Sequence, residues 1–166
     1  MSKTAPASAA ESPWLALLLI LGGTFAVSGL GGAVTAPEID GWYRTLEKPP
    51  FNPPDWIFGP VWTLLFLMMA VAAWLVVRAK GSLSAARREM AYYAAQLALN
   101  LGWSVLFFGL RRPGLAFAEI ILLMAALGAT GLVFYRVRPL AGWLFVPYAA
   151  WVGFASVLNG WIALNN

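Results

Sequence analysis

The sequence predicts an all-α fold: an integral membrane bundle of five transmembrane helices. Three observations lead there. The chain is 61% hydrophobic and only 11% charged over 166 residues, where soluble domains run to about 25% charged. A soluble fold of this length could not hide that much apolar surface. Its apolar residues fall into five runs, each near the roughly 20 residues that a helix needs to cross the hydrocarbon core. The joints after the third and fourth runs, "RRPG" and "RVRP", are short, and short joints make antiparallel neighbours.

The expected helices cover about 14–35, 56–78, 87–110, 113–135 and 140–162, behind a small, polar tail at 1–13 that is expected to be disordered. Lipid offers the backbone no hydrogen-bond partner, and the runs lack barrel-type alternation, so helices are the spanning elements. The first run could be read as a signal peptide, with "AVS" at Ala26–Ser28 as its cleavage site. The apolar pattern continues past Ser28 to Thr35, which favours a retained helix. The net charge of +4 sits at helix ends, a pattern of membrane topology rather than of nucleic-acid binding. Lys3, Arg78, Lys80, Arg87, Arg88, Arg136 and Arg138 fall on one side, and Arg44, Lys48, Arg111 and Arg112 on the other. The excess predicts a cytoplasmic N-terminus and a first loop outside.

The chain has no cysteine and no histidine. Disulfides, thiolate or imidazole metal sites and histidine-based triads are excluded. No metal site and no obligatory cofactor are expected, and a haem iron would lack those axial ligands.

The first joint, residues 36–55, is the longest, and long ordered loops are usually functional. It reads "GWYRTLEKPPFNPPDW" within its flanks and is stiff, because proline fixes φ. Pro53 and Pro54 suit the first turn of a helix, and Pro60 should kink the second span or start it afresh. Trp42, Tyr43, Phe51 and Trp56 are aromatic anchors there. They fit either an interfacial belt or a lid over a cavity.

Helical spacing gives three faces. Gln96, Asn100, Trp103 and Phe107 share one; Tyr148, Trp151, Ala155 and Asn159 share another; Trp62, Phe66 and Met69 make a third. Amides avoid lipid, so these faces either surround one pocket or bond helices together. Glu119 is the one carboxylate inside a span; it is either a functional acid or, the favoured reading, a protonated group bonded to a neighbouring helix. Small residues line two further stripes: Gly22, Ala26, Gly29 and Ala33 on the first span, and Ala91, Ala95, Ala98, Gly102 and Gly109 on the third. Such faces let helices approach closely, and the third span's stripe is free to meet another subunit.

The stretches "WYRTLEKPPFNPPDWIFGPVW", "YAAQLALNLGWSVLFFG" and "FVPYAAWVGFASVLN" resemble the signature segments of the TspO/MBR family. That family comprises bacterial tryptophan-rich sensory proteins and mitochondrial translocator (peripheral benzodiazepine receptor) proteins. The resemblance covers nearly the whole chain from Trp14. It implies five transmembrane helices, a homodimer, and a cavity closed by the first loop that takes porphyrins and benzodiazepine- or isoquinoline-carboxamide-type ligands. It places Trp62, Asn100, Trp103, Trp151 and Ala155 at ligand-contact positions. With them we group Trp42, Tyr43, Trp56, Phe58, Phe66, Gln96, Phe107, Tyr148 and Asn159 as candidate wall residues, and Arg44 and Lys48 as candidate partners of porphyrin propionates. The chain departs from the family at Phe51, often tryptophan there, and in "VLNGWIALNN", which lacks the tyrosine and basic residue of the steroid-binding pattern. Cholesterol recognition by that motif is therefore not expected. The function expected is binding and sensing of tetrapyrroles. Transport of porphyrin or sterol-like molecules and porphyrin degradation at Trp62 and Trp151 are the alternatives.

Overall fold

The computed structural model describes residues 12–166. Most of the expected N-terminal tail thus lies outside the described residues. Those that are described form helices and connecting loops, with no strand among them. The helices are α1 (Pro13–Ile39), α2 (Trp42–Thr45), α3 (Phe58–Lys80), α4 (Arg87–Ser104), α5 (Pro113–Val137), α6 (Pro139–Trp143) and α7 (Val146–Asn165). A 3₁₀ turn, Asp55–Ile57, leads into α3, and a π-helical turn, Val105–Gly109, continues α4.

Four stretches are long and apolar enough to cross a membrane: Pro13–Ile39, Asp55–Lys80, Pro113–Val137 and Pro139–Asn165. The protein is an integral membrane protein on that footing. The expected third span differs in composition. Its first turn is Arg87-Arg88-Glu89, and its interior carries Gln96 and Asn100, all within one 18-residue helix.

Prolines set most of the starts. Pro113 and Pro139 each open a helix, where the missing N–H is one that no helix end satisfies. Pro60 is the third residue of α3, so it lies in the first turn and the helix starts afresh. Pro53 and Pro54 do not enter that turn: Pro54 precedes it, accepting a bond from the Ile57 N–H at 3.0 Å. The first helix runs past the expected Thr35 to Ile39 with Pro37 inside it. The last span is broken into α6 and α7. At Gly142 the chain passes so close to α5 that a Cβ would lie 2.8 Å from Tyr135 Cα and 2.9 Å from the Gly131 carbonyl. Only glycine permits that corner.

The core lies where α3, α4, α5 and α7 meet, around Met69, Val76, Ile120, Leu123, Leu127, Phe134 and Tyr148. α5 packs against both α4 and α7, and α1 against α3 and α4. α1 is held at its N-terminal end: Trp74 Nε1 donates to the Pro13 carbonyl at 2.9 Å, and Thr24 Oγ1 lies 2.6 Å from Tyr93 Oη. At the same end Lys80 pairs with the buried Glu89 at 3.0 Å, closing the joint between α3 and α4.

Candidate ligand cavity

At the opposite end, the helices part around a cavity of about 310 Å³. That is near the lower end of the range of ligand pockets, about 300–1,000 Å³. Its wall is aromatic and small, with a few amides and hydroxyls. α3 contributes Phe58, Trp62 and Phe66; α4 and its π turn contribute Asn100, Trp103 and Phe107; α7 contributes Trp151, Ala155 and Asn159; the loop contributes Tyr43. Ten of the candidate wall residues thus meet at one space.

Four do not line it. Trp56 is 73% exposed. Trp42 packs edge-on behind Phe107, with centroids 5.7 Å apart. Tyr148 lies fully buried one layer deeper, where its hydroxyl accepts a bond from Asn100 Nδ2 at 2.7 Å and its ring meets Trp62 edge-on. Gln96 is also fully buried, and neither atom of its amide has a partner among the described residues.

Hydrogen bonds fix the polar groups that do reach the wall. Trp103 Nε1 donates to Asn159 Oδ1 at 3.0 Å, and Asn159 Nδ2 donates to the Pro113 carbonyl at 2.8 Å. Asn159 therefore braces α4, α7 and the start of α5. The Trp103 ring stacks on Phe107 at 5.2 Å. Trp151 meets Phe58 edge-on at 5.9 Å, an arrangement aromatic quadrupoles favour.

The π turn was not legible from periodicity. Phe107 and Phe108 both turn inward there, buried and 4.8 Å apart, and the Leu110 N–H closes the wider turn on the Val105 carbonyl at 2.7 Å. α1 also contributes wall unforeseen from the sequence: Ser28, Gly31, Gly32, Thr35, Ala36 and Ile39. The signal was there, as small polar residues at helical spacing. The stripe singled out instead, Gly22, Ala26, Gly29 and Ala33, is the exposed outer side of α1.

The loop covers the cavity as an ordered lid. The Tyr43 ring is buried against Phe107 and Phe108, and its hydroxyl donates to Asn52 Oδ1 at 2.9 Å. Burial, and next the charge of Asp55, push that hydroxyl up to about 12, although the bond to Asn52 opposes the shift. Lys48 Nζ sits over the same ring, 4.6 Å from its centre. Arg44 pairs with Asp40 at 2.6 Å on the exposed side. Neither cation forms cavity wall, and the ionisable carboxylate that does is Asp55. The lid is tied at both flanks. Arg111, held at a positive φ of 52°, makes two 3.1 Å bonds to the Glu38 carboxylate. The Asn166 amide clasps Glu47, accepting from its N–H at 2.9 Å and donating to its carbonyl at 3.2 Å.

The small stripe of α4 divides. Ala91, Ala95 and Ala98 are exposed, whereas Gly102 faces α5, where a Cβ would lie 3.7 Å from Glu119 Oε1. Gly109 packs on Val34 of α1. Both Glu119 oxygens are buried with no partner among the described residues, so the expected bond to a neighbouring helix is not made there.

A helical membrane protein with a lidded interior cavity walled by tryptophans is the class that this fold and site define. The chain belongs to the TspO/MBR family, whose profile matches residues 10–164. It is 43% identical over 145 residues to the tryptophan-rich protein TspO of Chlorobaculum tepidum, covering 87% of this chain and 92% of that relative. It is 37% identical to the translocator protein of Sus scrofa, covering 89% and 88% respectively. It is 41% identical to the tryptophan-rich sensory protein of Cereibacter sphaeroides, covering 77% of each.

Proposed function

We propose that the protein binds porphyrins and related flat apolar molecules in this cavity and acts as a sensor in tetrapyrrole or stress responses. The observation that supports this most is the wall itself. Trp62, Trp103 and Trp151, from three different helices, line one space under an ordered lid. Flat π-systems stack well on such rings. Asn100 and Asn159 supply the few polar groups that fix orientation. Propionates are costly to bury unpaired, so they point to the lid end, the end that carries Arg44 and Lys48.

Tryptophan-fluorescence titration of the purified protein in detergent tests the reading, with protoporphyrin and a sterol as probes. Saturable quenching by protoporphyrin that weakens in Trp151→Leu and Asn100→Leu is the expected result. Quenching that never saturates, and is the same in both variants, would overturn it.

Two further features belong to the same proposal. α4 crosses the membrane as the fifth span, with its amides turned inward and the N-terminus on the cytoplasmic side. The absence of native cysteine makes this testable with Ser84→Cys and Phe51→Cys, which an impermeant maleimide should label from opposite sides. The protein forms a homodimer through the exposed Ala91, Ala95 and Ala98 face, which Ala95→Trp should disrupt in lipid crosslinking.

A further inference from the structure

α1 is packed along only half its length. Its buried residues, Ala16, Ile20 and Thr24, all lie in the N-terminal half. From Phe25 to Ile39 no residue is buried. That second half leans towards α4: a Cβ at Gly31 would lie 3.5 Å from Ser104 Oγ, and Val34 meets Gly109. α3 shows the matching gap, for its buried residues begin only at Leu65. Between these two bare stretches lies one edge of the cavity. Gly32 and Ala36 of α1 and Gly59 and Thr63 of α3 line it and are at the same time exposed. A Cβ added at Gly32 or Gly59 would meet nothing within 4 Å.

We infer that the cavity opens sideways between α1 and α3 into the bilayer, and that this seam admits flat apolar ligands already dissolved in lipid. The inference rests on the proposed binding function and adds to it the source of the ligand. The surroundings are those of a lipid-facing mouth: Leu30, Leu64 and Leu67 are exposed on the same two helices. The energetics favour the seam over the lid. Opening the lid breaks both Asn166–Glu47 bonds and lifts the buried Tyr43 ring from Phe107 and Phe108. Among the described residues, the hydrogen bonds that α1 makes from its second half go to Arg111, and its bond to α3 is at Pro13, far from the seam. Parting the seam therefore breaks none of them. The missing side chains at Gly32 and Gly59 leave the gap that a flat ring needs. With a cavity of about 310 Å³, a larger ligand can leave part of itself in this opening.

The test is stopped-flow tryptophan quenching by protoporphyrin preloaded in phosphatidylcholine vesicles that carry the protein. Gly32→Phe and Gly59→Phe narrow the seam from either side. Gly22→Phe, on the exposed outer side of α1 and away from the cavity, is the control. Association and dissociation should both slow at least about tenfold in the seam variants, equivalent to ~1.4 kcal/mol on the barrier. A gate slows both rates by the same factor, whereas a filled cavity speeds dissociation, so the two are told apart by the ratio of the rate changes. The control should match the parent. Unchanged rates in folded, ligand-binding seam variants would overturn the inference, as would equal slowing in the control. If a phenylalanine fills the cavity and speeds dissociation, Leu64→Trp, exposed on α3 and outside the cavity wall, gives the reading instead. No saturable binding by the parent would fall on the proposed function instead.

Discussion

Asn159 should be the residue whose loss loosens the wall most, and the Trp103–Asn159 bond should show as a measurable coupling. Asn159→Leu keeps the side-chain size but removes both of its bonds, the 3.0 Å one from Trp103 and the 2.8 Å one to Pro113. Side-chain bonds between membrane helices average about 0.6 kcal/mol and reach ~1.7. Two such bonds thus amount to about 1–3 kcal/mol. Asn159 is 1% exposed, but Trp103 and Pro113 are half-buried, so the orphaned groups regain some water, which puts the loss in the lower part of that range. Trp103→Phe removes the same N–H from the other side and keeps a ring to stack on Phe107. In a double-mutant cycle the pair should couple by about 1 kcal/mol. Reversible unfolding from mixed micelles by dodecyl sulfate measures it. If the two losses add to within ~0.3 kcal/mol, the bond does not brace the helices and the argument fails.

Replacing Pro49, Pro50, Pro53 and Pro54 by alanine should speed protoporphyrin release while helix content holds, each exchange freeing the unfolded lid by about 0.4–1 kcal/mol; unaltered release rates would make the loop a bystander. The raised Tyr43 pKa means that the folded lid keeps its proton while the unfolded chain loses it from 10.0 upward. Stability from this group is therefore fully present below pH 10.0 and lost as pH rises towards 12. Tyr43→Phe should flatten that fall in alkaline unfolding curves, and a curve as steep as the parent's would refute the assignment. Arg44→Ala or Lys48→Ala should weaken protoporphyrin more than a neutral isoquinoline carboxamide, by a margin that shrinks with salt. Equal losses for both ligands would mean that these residues act through lid folding. Gly102→Leu should strain the α4–α5 contact of a single chain, because Glu119 stands opposite it, and so lower the unfolding midpoint even in monomeric micelles.

Helical spacing placed Asn100, Trp103, Phe107, Trp151, Ala155 and Asn159 correctly on inward faces, because straight α-helix obeys a fixed period. Depth along the axis is a different matter. Gln96 and Tyr148 share those faces but lie one turn below the cavity floor, and spacing alone does not say where the floor is. α1 was not foreseen as cavity wall because small residues occur on two of its sides. The sequence shows the Gly22–Ala33 stripe as plainly as the Ser28–Thr35 one, and only the packing of Thr24 on Tyr93 decides which side turns inward. The lid was legible as stiff and Tyr43 as one of its anchors, but not the bond from that tyrosine to Asn52. The cations were visible, but not their partners. Arg44 finds Asp40 four residues earlier, whereas Arg111 finds Glu38 across the fold, a pairing that local pattern cannot reveal.

The turn at Val105–Gly109 makes the wall depend on counting. Strike one residue from that stretch and regular α-helix can resume, because the π turn holds one residue more than an α turn, and the bond from the Leu110 N–H to the Val105 carbonyl at 2.7 Å would be lost. Composition counts there as well: Phe107 is cavity wall, and a Cβ at Gly109 would lie 3.2 Å from Val34, so keeping this wall takes both the count and those two letters.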